Sequence, residues 1–405
     1  MNAPAFFRVP LSLCSLALAA LPLSAADLEV IEPEVKQSIR GHINEPTKLK
    51  PTPEMVETLK LPPGFRIQSF ATLEGARMMA FAPNGDLYVT RRAPHNDVTL
   101  LRDANKNGRA EVIRQVASIE NVHGIAIHEG KIYLAAIREV YVADILADGG
   151  LSEPQVLYSD LPDAGQHPNR TLKFSPQGKL ILSVGSTSNA APEPNPENAT
   201  LLELEPDGSG RTIFARGLRN TIGFDWHPVD GSLWGMDHGI DWLGDHEQNE
   251  ELNFLRRGAH YGWPFLYDDK KFNLHQNPEE TLGITREEMA ALTQAPIAGL
   301  TPHSAPMEML FYRGTQFPAR YRNTAFVALH GSWNRAKPKG YKVVTIQFSS
   351  REGDTRARDF LTGFYLPETN AHFGRPCGMA ESPDGSLFLS DDSGGAIYRI
   401  TYRGR

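Results

Sequence analysis

From Gly64 onward, apolar and polar residues alternate in short runs, and each run breaks at a turn rich in Pro, Gly, Asn or Asp before a second run begins. Met79 and Phe81 lead into Pro83-Asn84-Gly85, and Leu87 and Val89 follow. Ile125 and Ile127 lead into Glu129-Gly130, then Ile132 and Leu134. Leu172 with Phe174, Ile222 with Phe224, and Met379 open three more copies, with turns at Gly178, Gly231 and Gly385. A period of two marks a strand, because successive side chains point to opposite faces, and the turn residues allow a tight reversal. The first four turn glycines are 45, 48 and 53 residues apart, the spacing of repeats built from four short strands. A weaker copy lies between Thr324 and Phe348, where Phe326-Val327-Ala328-Leu329 and Val343-Val344-Thr345-Ile346 are strand-like. The pattern predicts an all-β chain, a six-bladed β-propeller with four-stranded antiparallel blades, or seven blades if the interval before Thr324 holds another. Within that interval Thr285 to Leu292 reads as a short inserted helix. A ring of sheets must also be closed. Phe65-Arg66-Ile67-Gln68-Ser69-Phe70 alternates ahead of the first repeat and is expected to pair with the final strand, around Ala396 to Tyr402, covering an exposed edge.

The segment before the repeats changes the picture of where this domain works. Arg8, an apolar run from Leu11 to Leu23, and the small residues Ser24-Ala25-Ala26 have the layout of a secretory signal. The run is shorter than the roughly 20 residues that a membrane span needs. Cys14 after Leu11-Ser12-Leu13 offers a lipoprotein reading, but Leu13 is bulky and the apolar run continues past Cys14. The expected organisation is a signal peptide at 1–26, an extended polar arm at 27–60 and the propeller at 61–405. The product would be periplasmic or secreted, with no membrane insertion. Cleavage near Ala26 leaves only Cys377, so no intrachain disulfide forms. The formal net charge of −7 argues against a nucleic-acid or anionic-membrane partner, each of which favours a basic face.

Comparing the repeats at one register brings out the chemistry. Just before each inner strand stand Arg77, His123, His167 with Arg170, Arg219-Asn220, and Gly374-Arg375. Such a ring describes a cationic funnel with titratable groups. Arginines converging on one point suit a planar anion with several carboxylates, and a histidine among them can act as a base if it is held neutral. The acidic loop from Asp237-His238-Gly239-Ile240-Asp241 to Glu250-Glu251 offers oxygen ligands to a hard cation such as calcium, and reads equally well as a solvated loop. Asp103-Ala104-Asn105-Lys106-Asn107-Gly108 opens like a calcium loop, but Arg114 stands where the closing Glu belongs, so a tight turn is the better account. Cys377 reads as a buried, inert thiol.

At these residues the chain resembles the quinoprotein glucose/sorbosone dehydrogenase family, six-bladed propellers that bind pyrroloquinoline quinone (PQQ) and calcium. The resemblance spans roughly residues 60 to 402 and is closer to the sorbosone-type branch. It rests on Gly165-Gln166-His167 through Arg170-Thr171-Leu172, Gly217-Leu218-Arg219-Asn220, Trp234 through Gly239, and Glu250-Glu251-Leu252-Asn253. Tyr261-Gly262-Trp263-Pro264, Pro302-His303-Ser304-Ala305-Pro306, His330-Gly331-Ser332-Trp333-Asn334-Arg335 and Gly374-Arg375-Pro376 complete the set. The resemblance implies that His167 is the general base, that Arg219 and Asn220 contact the quinone oxygens, and that the Gly239 and Ile240 carbonyls hold calcium. It places His238 and His303 at cofactor contacts and makes Arg375, like the funnel residue Arg170, a carboxylate-binding candidate. Gln166 stands where the glucose enzymes carry an acid, Ile240 where they carry proline, and Cys377 where they carry a second arginine. Their cofactor-binding lysine has no clean counterpart, and Arg335 and Lys337 are the candidates for its place.

The expectation is therefore a PQQ- and calcium-dependent dehydrogenase that oxidises an aldose or related sugar aldehyde or alcohol by base-assisted hydride transfer. With no Cys-x-x-Cys-His for a covalent haem, electrons must pass to an external acceptor. A calcium-dependent propeller lactonase and a non-enzymatic binding propeller are the rival expectations.

Overall fold

The computed structural model describes residues 41–162, 165–348 and 355–404; the expected signal peptide and the first part of the arm lie outside them. Each repeat folds into one four-stranded antiparallel sheet, and the described residues hold six of these. The first is Ala76–Phe81, Leu87–Arg91, Asp97–Arg102 and Val112–Ser118. The second is Gly124–His128, Lys131–Ala135, Val140–Asp144 and Gln155–Tyr158, and the third Leu172–Phe174, Leu180–Val184, Thr200–Leu204 and Thr212–Arg216. The fourth is Thr221–Trp226, Leu233–Asp237, Glu250–Leu255 and Ala298–Leu300, and the fifth Pro306–Phe311, Ala325–Leu329, Lys342–Gln347 and Arg356–Leu361. The weak copy at Thr324–Phe348 is thus the middle of the fifth sheet. Its inner strand, Pro306–Phe311, lies before the stretch that the repeat pattern marks.

The sixth sheet closes the set as expected. Pro376–Glu381, Leu387–Asp391 and Ala396–Tyr402 come from the end of the chain, and Phe65–Thr72 adds the outer strand, with Phe65 opposite Tyr402 and Thr72 opposite Ala396. Phe65 also packs edge-on against Phe317, Tyr321 and Phe360, so the closing strand is fastened by aromatic packing as well as by its ladder.

Second strands such as Leu180–Val184 and Ala325–Leu329 are buried on both faces, because each sheet packs between two neighbours and apolar clusters fill the gaps. Outer strands such as Val112–Ser118 keep most of their residues in contact with water. The interval before the fifth sheet carries two short helices. Arg286–Leu292 begins at a capping box in which Thr285 and Glu288 bond each other's backbone N–H. Pro278–Leu282, capped by Asn277, is too short to register in the periodicity. The Asp103 segment is a turn, with the carboxylate accepting the N–H groups of Asn107 and Gly108. The arm joins the body where Thr47–Lys48 pairs in parallel with Ala371–His372. Among the described residues no helix is long and apolar enough to cross a membrane.

Candidate active site

At the N-terminal ends of the inner strands of the first, third, fourth, fifth and sixth sheets a cavity of about 310 Å³ opens. It is lined by Arg77, His167, Arg219, Asn220, His238, Gly239, His303 and Arg375 among the residues expected from the sequence, together with Gln166, Asp241, Glu250, His330, Trp333 and Asn334.

His167 stands on the loop that enters the third sheet. Its Nδ1 lies 3.0 Å from the Ser186 carbonyl and 2.8 Å from Ser186 Oγ. Ser186 Oγ gives its own proton to the Ser188 carbonyl at 2.6 Å, so both Ser186 oxygens act as acceptors. That fixes the proton on Nδ1 and leaves the Nε2 lone pair for the cavity. Burial, followed by the charge of Arg219, lowers the pKa of His167 to about 2, which keeps the imidazole neutral. Gly185 makes the approach possible: a Cβ there would stand 2.6 Å from His167 Cβ and 3.0 Å from Asn220 Oδ1. Gln166 does not orient the ring. Its amide donates to Asp241 Oδ2 at 3.1 Å.

Arg219 is buried and held on three sides. Nε donates to the Asn189 carbonyl at 2.9 Å, and one terminal nitrogen donates to Asn189 Oδ1 at 2.6 Å and to Asp241 Oδ2 at 2.7 Å. Asp237 anchors the backbone here, accepting the N–H groups of Arg219 and Asn220 at 2.8 Å each. Burial raises the Asp237 pKa to about 6. Arg77 pairs with Asp392, whose other oxygen accepts from His330 Nε2 at 2.8 Å. Although burial opposes it, the His330 imidazole that donates to it and the charge of Arg77 hold Asp392 well below the usual carboxylate range, while burial takes the pKa of His330 itself down to about 4. Arg375 donates to the carbonyls of His330 and Gly331. The funnel is thus not simply cationic, as the sequence led us to expect. A buried guanidinium requires a counter-charge or a set of acceptors, and Asp241 and Asp392 supply the counter-charges from loops outside the compared register.

The loop after Leu233–Asp237 carries the candidate metal position. The N–H groups of Gly239 and Ile240 donate to Glu250 Oε2 and Gln248 Oε1, each at 3.0 Å, and their carbonyls accept no hydrogen bond among the described residues. Glu250 also accepts from the Ala305 N–H at 2.9 Å, and burial lifts its pKa to about 7. Ile240 turns its side chain into an apolar cluster with Ala199 and Trp263. No cluster of three or more His, Cys, Asp or Glu side chains that could hold a metal occurs among the described residues, so a cation here would depend on backbone oxygens and water. His238 donates through Nε2 to the Pro306 carbonyl at 2.8 Å, and burial takes its pKa to about 4. His303 donates through Nε2 to the Gly244 carbonyl at 2.8 Å and accepts from Asn334 on Nδ1 at 3.1 Å.

Two arginines lie away from the cavity. Arg170 is buried and clamps the carbonyls of Ile137, His167 and Pro162, so it shapes the His167 loop from behind. Arg335 turns its guanidinium onto the carbonyls of Asp245 and Pro302, while its neighbour Asn334 takes the place in the cavity. Lys337 is exposed and also lies outside the lining. His123 sits behind the wall, joining Arg77 to the Arg170 carbonyl. Cys377 is fully buried, and burial pushes its pKa up to about 12, which makes it inert as expected.

A protein of Borreliella burgdorferi with no assigned function is 30% identical over 368 residues, covering 86% of this chain and 92% of that one. A pyrroloquinoline quinone-dependent sugar dehydrogenase of Hypocrea jecorina is 24% identical over 330 residues, covering 68% of this chain and 73% of its own. The calcium structure of a Trichoderma reesei enzyme of carbohydrate-active family AA12 superposes with a TM-score of 0.74 at 20% identity, covering 85% of this chain and 97% of that one. The TrAA12-like family model matches residues 59–403, a span that takes in all six sheets and every residue lining the cavity. The chain belongs to the TrAA12-like family.

Proposed function

We propose that this protein is an exported, six-bladed β-propeller dehydrogenase that uses PQQ and calcium to oxidise an aldose or a related sugar aldehyde or alcohol. The carrying observation is the tautomer of His167, whose Nδ1 is committed to Ser186 while a neutral Nε2 faces the cavity beside Arg219 and Asn220. A group placed this way takes a proton from a substrate hydroxyl without first losing one of its own.

The residues fit the implied cofactor. Arg77, Arg219 and Arg375 line one small cavity, as a planar tricarboxylate requires, and Arg77 Nε is buried without a partner. The Gly239 and Ile240 carbonyls are hard oxygen donors of the kind calcium takes. When bound, PQQ supplies the two-electron acceptor and calcium polarises it. The protein holds Nε2 of His167 toward the reacting hydroxyl, fixes Arg219 through Asn189 and Asp241, and keeps the histidines of the wall neutral. Reducing equivalents then pass to an external acceptor.

The test is a titration of the purified, calcium-loaded protein with PQQ, followed by quinone absorbance and by dye reduction with a panel of aldoses. Saturable binding with sugar-dependent turnover is the expected result. His167→Ala should keep the binding and lose the turnover. No binding at micromolar PQQ would overturn the assignment and leave a non-enzymatic binding propeller.

A further inference from the structure

Alone among the five tryptophans, Trp242 is exposed, with 48% of its surface open to water. It follows Asp241 directly, and its ring meets the ring of Trp333 edge-to-face, with centroids 5.5 Å apart and an interplanar angle of 85°. Trp333 lines the cavity. The two indoles therefore make a step that leads from the cavity wall out to solvent.

Both rings are held in advance. The backbone of Trp333 accepts the Asn44 N–H at 2.8 Å, so the arm supports its loop. The carbonyl before Trp242 accepts from Asn334 at 3.0 Å, and the Asp241 carboxylate is tied to Arg219 and Gln166. An aromatic surface fixed before a ligand arrives loses little freedom on binding. Polar groups rim the platform: Asp245 accepts from His42 Nδ1 at 2.9 Å and from the Ala336 N–H, and His42 Nε2 has no partner among the described residues.

An apolar platform with a polar rim matches one ligand chemistry in particular. A sugar ring has an apolar C–H face to lay on an indole and hydroxyls at its edge to meet His42 and Asp245. A wholly aliphatic ligand would cover the Asp245–His42 pair with nothing to bond it.

The size of the cavity says which sugar unit this is. A volume of about 310 Å³ stands at the small end for one compact organic ligand, and on the proposed reading PQQ fills it. The unit being oxidised then lies at the mouth against Trp333, and Trp242 lies one ring farther out. We infer that Trp242 and Trp333 form an outer carbohydrate subsite that takes the sugar unit next to the one oxidised. The preferred substrate is thus a di- or oligosaccharide with a free reducing end. The inference rests on the sugar-oxidising reading of the cavity.

Calorimetric titration of the protein without PQQ, using glucose, cellobiose, maltose and lactose, tests the subsite independently of turnover. At least one disaccharide should bind about tenfold more tightly than glucose. Trp242→Ala should remove that advantage, and Trp242→Tyr should keep most of it, with PQQ binding unchanged in both. In the loaded enzyme Trp242→Ala should raise KM for the disaccharide and leave kcat and the glucose KM alone. Equal affinities for glucose and all three disaccharides, or full disaccharide affinity in Trp242→Ala, would overturn the subsite. If the disaccharide preference is present but PQQ does not bind, the Trp242–Trp333 carbohydrate platform stands, while its place beside an oxidised unit falls with the dehydrogenase reading.

Discussion

Five of the six inner strands begin at one cavity and end at another, and the two differ in kind. The cavity at the strand ends, about 760 Å³, is more than twice as large and is lined by Met78, Phe81, Phe174, Leu310 and Met379 with five charged groups, Lys173, Asp225, Glu308, Arg313 and Glu381. There each carboxylate has found its partner. Asp225 receives Arg313 on both oxygens at 2.9 and 3.0 Å, Glu308 receives Lys173 at 3.0 Å, and Glu381 accepts the Arg313 N–H at 2.7 Å. The smaller cavity holds His167, His238, His303 and His330, and His167 keeps a lone pair that no protein group uses. Volume does not identify a reactive site. What does is a set of positioned groups with valence left over: the His167 lone pair, Arg77 Nε and the Gly239 carbonyl.

That contrast can be broken or sharpened by experiment. His167→Ala should lower kcat by about 10²- to 10⁴-fold with PQQ affinity unchanged, measured by dye reduction and by binding. Arg219→Leu leaves Asp241 without its counter-charge and should cost about 3 kcal/mol of stability along with a weaker hold on PQQ, read from urea unfolding and titration. Its counterpart at the larger cavity, Lys173→Met, should cost about 2 kcal/mol and leave turnover untouched. A fall in turnover there would erase the distinction between the two ends. Ser186→Ala removes one of two acceptors for His167 Nδ1 and should reduce kcat about tenfold, with little change in KM.

The smallest effect expected is in the pH profile. The folded pKa of His167 lies below its unfolded value, so the base remains neutral as pH falls, and kcat/KM should show no His167 limb above about pH 5. The cost appears in stability instead. A histidine buried as the neutral form contributes stability above its unfolded pKa of about 6.5 and loses it as pH falls toward the folded value, so the melting temperature should drop on acidification and drop less in His167→Ala.

Periodicity made the sheets readable, because strands buried on both faces leave a regular record in the chain. The closing pair, the helix capped by Thr285 and the inert Cys377 were legible for similar local reasons. The partners of the site were not. Ser186 lies 19 residues from His167, Asp241 lies 22 from Arg219, and Asn334 reaches Asp241 across 93 positions. No local pattern links such pairs. Arg170 and Arg335 look like anion binders in a one-dimensional reading, since sequence does not show which way a long side chain turns. The His330-Gly331-Ser332-Trp333-Asn334-Arg335 motif was visible, yet the weight belongs on His330, Trp333 and Asn334 more than on the arginine.

The seam between Phe65–Thr72 and Ala396–Tyr402 also sets an order of events in time. During synthesis the first of these strands waits, unpaired, while everything from Leu73 to Gly395 is made. Such an edge can attract other chains while it waits. Its natural partner is made only after the strands of the other five sheets, so the sixth sheet cannot be completed early. A chain that stops before Ala396 would have the other five sheets available and still leave Phe65–Thr72 without its partner strand. Completion of the fold is thereby tied to the arrival of Ala396–Tyr402.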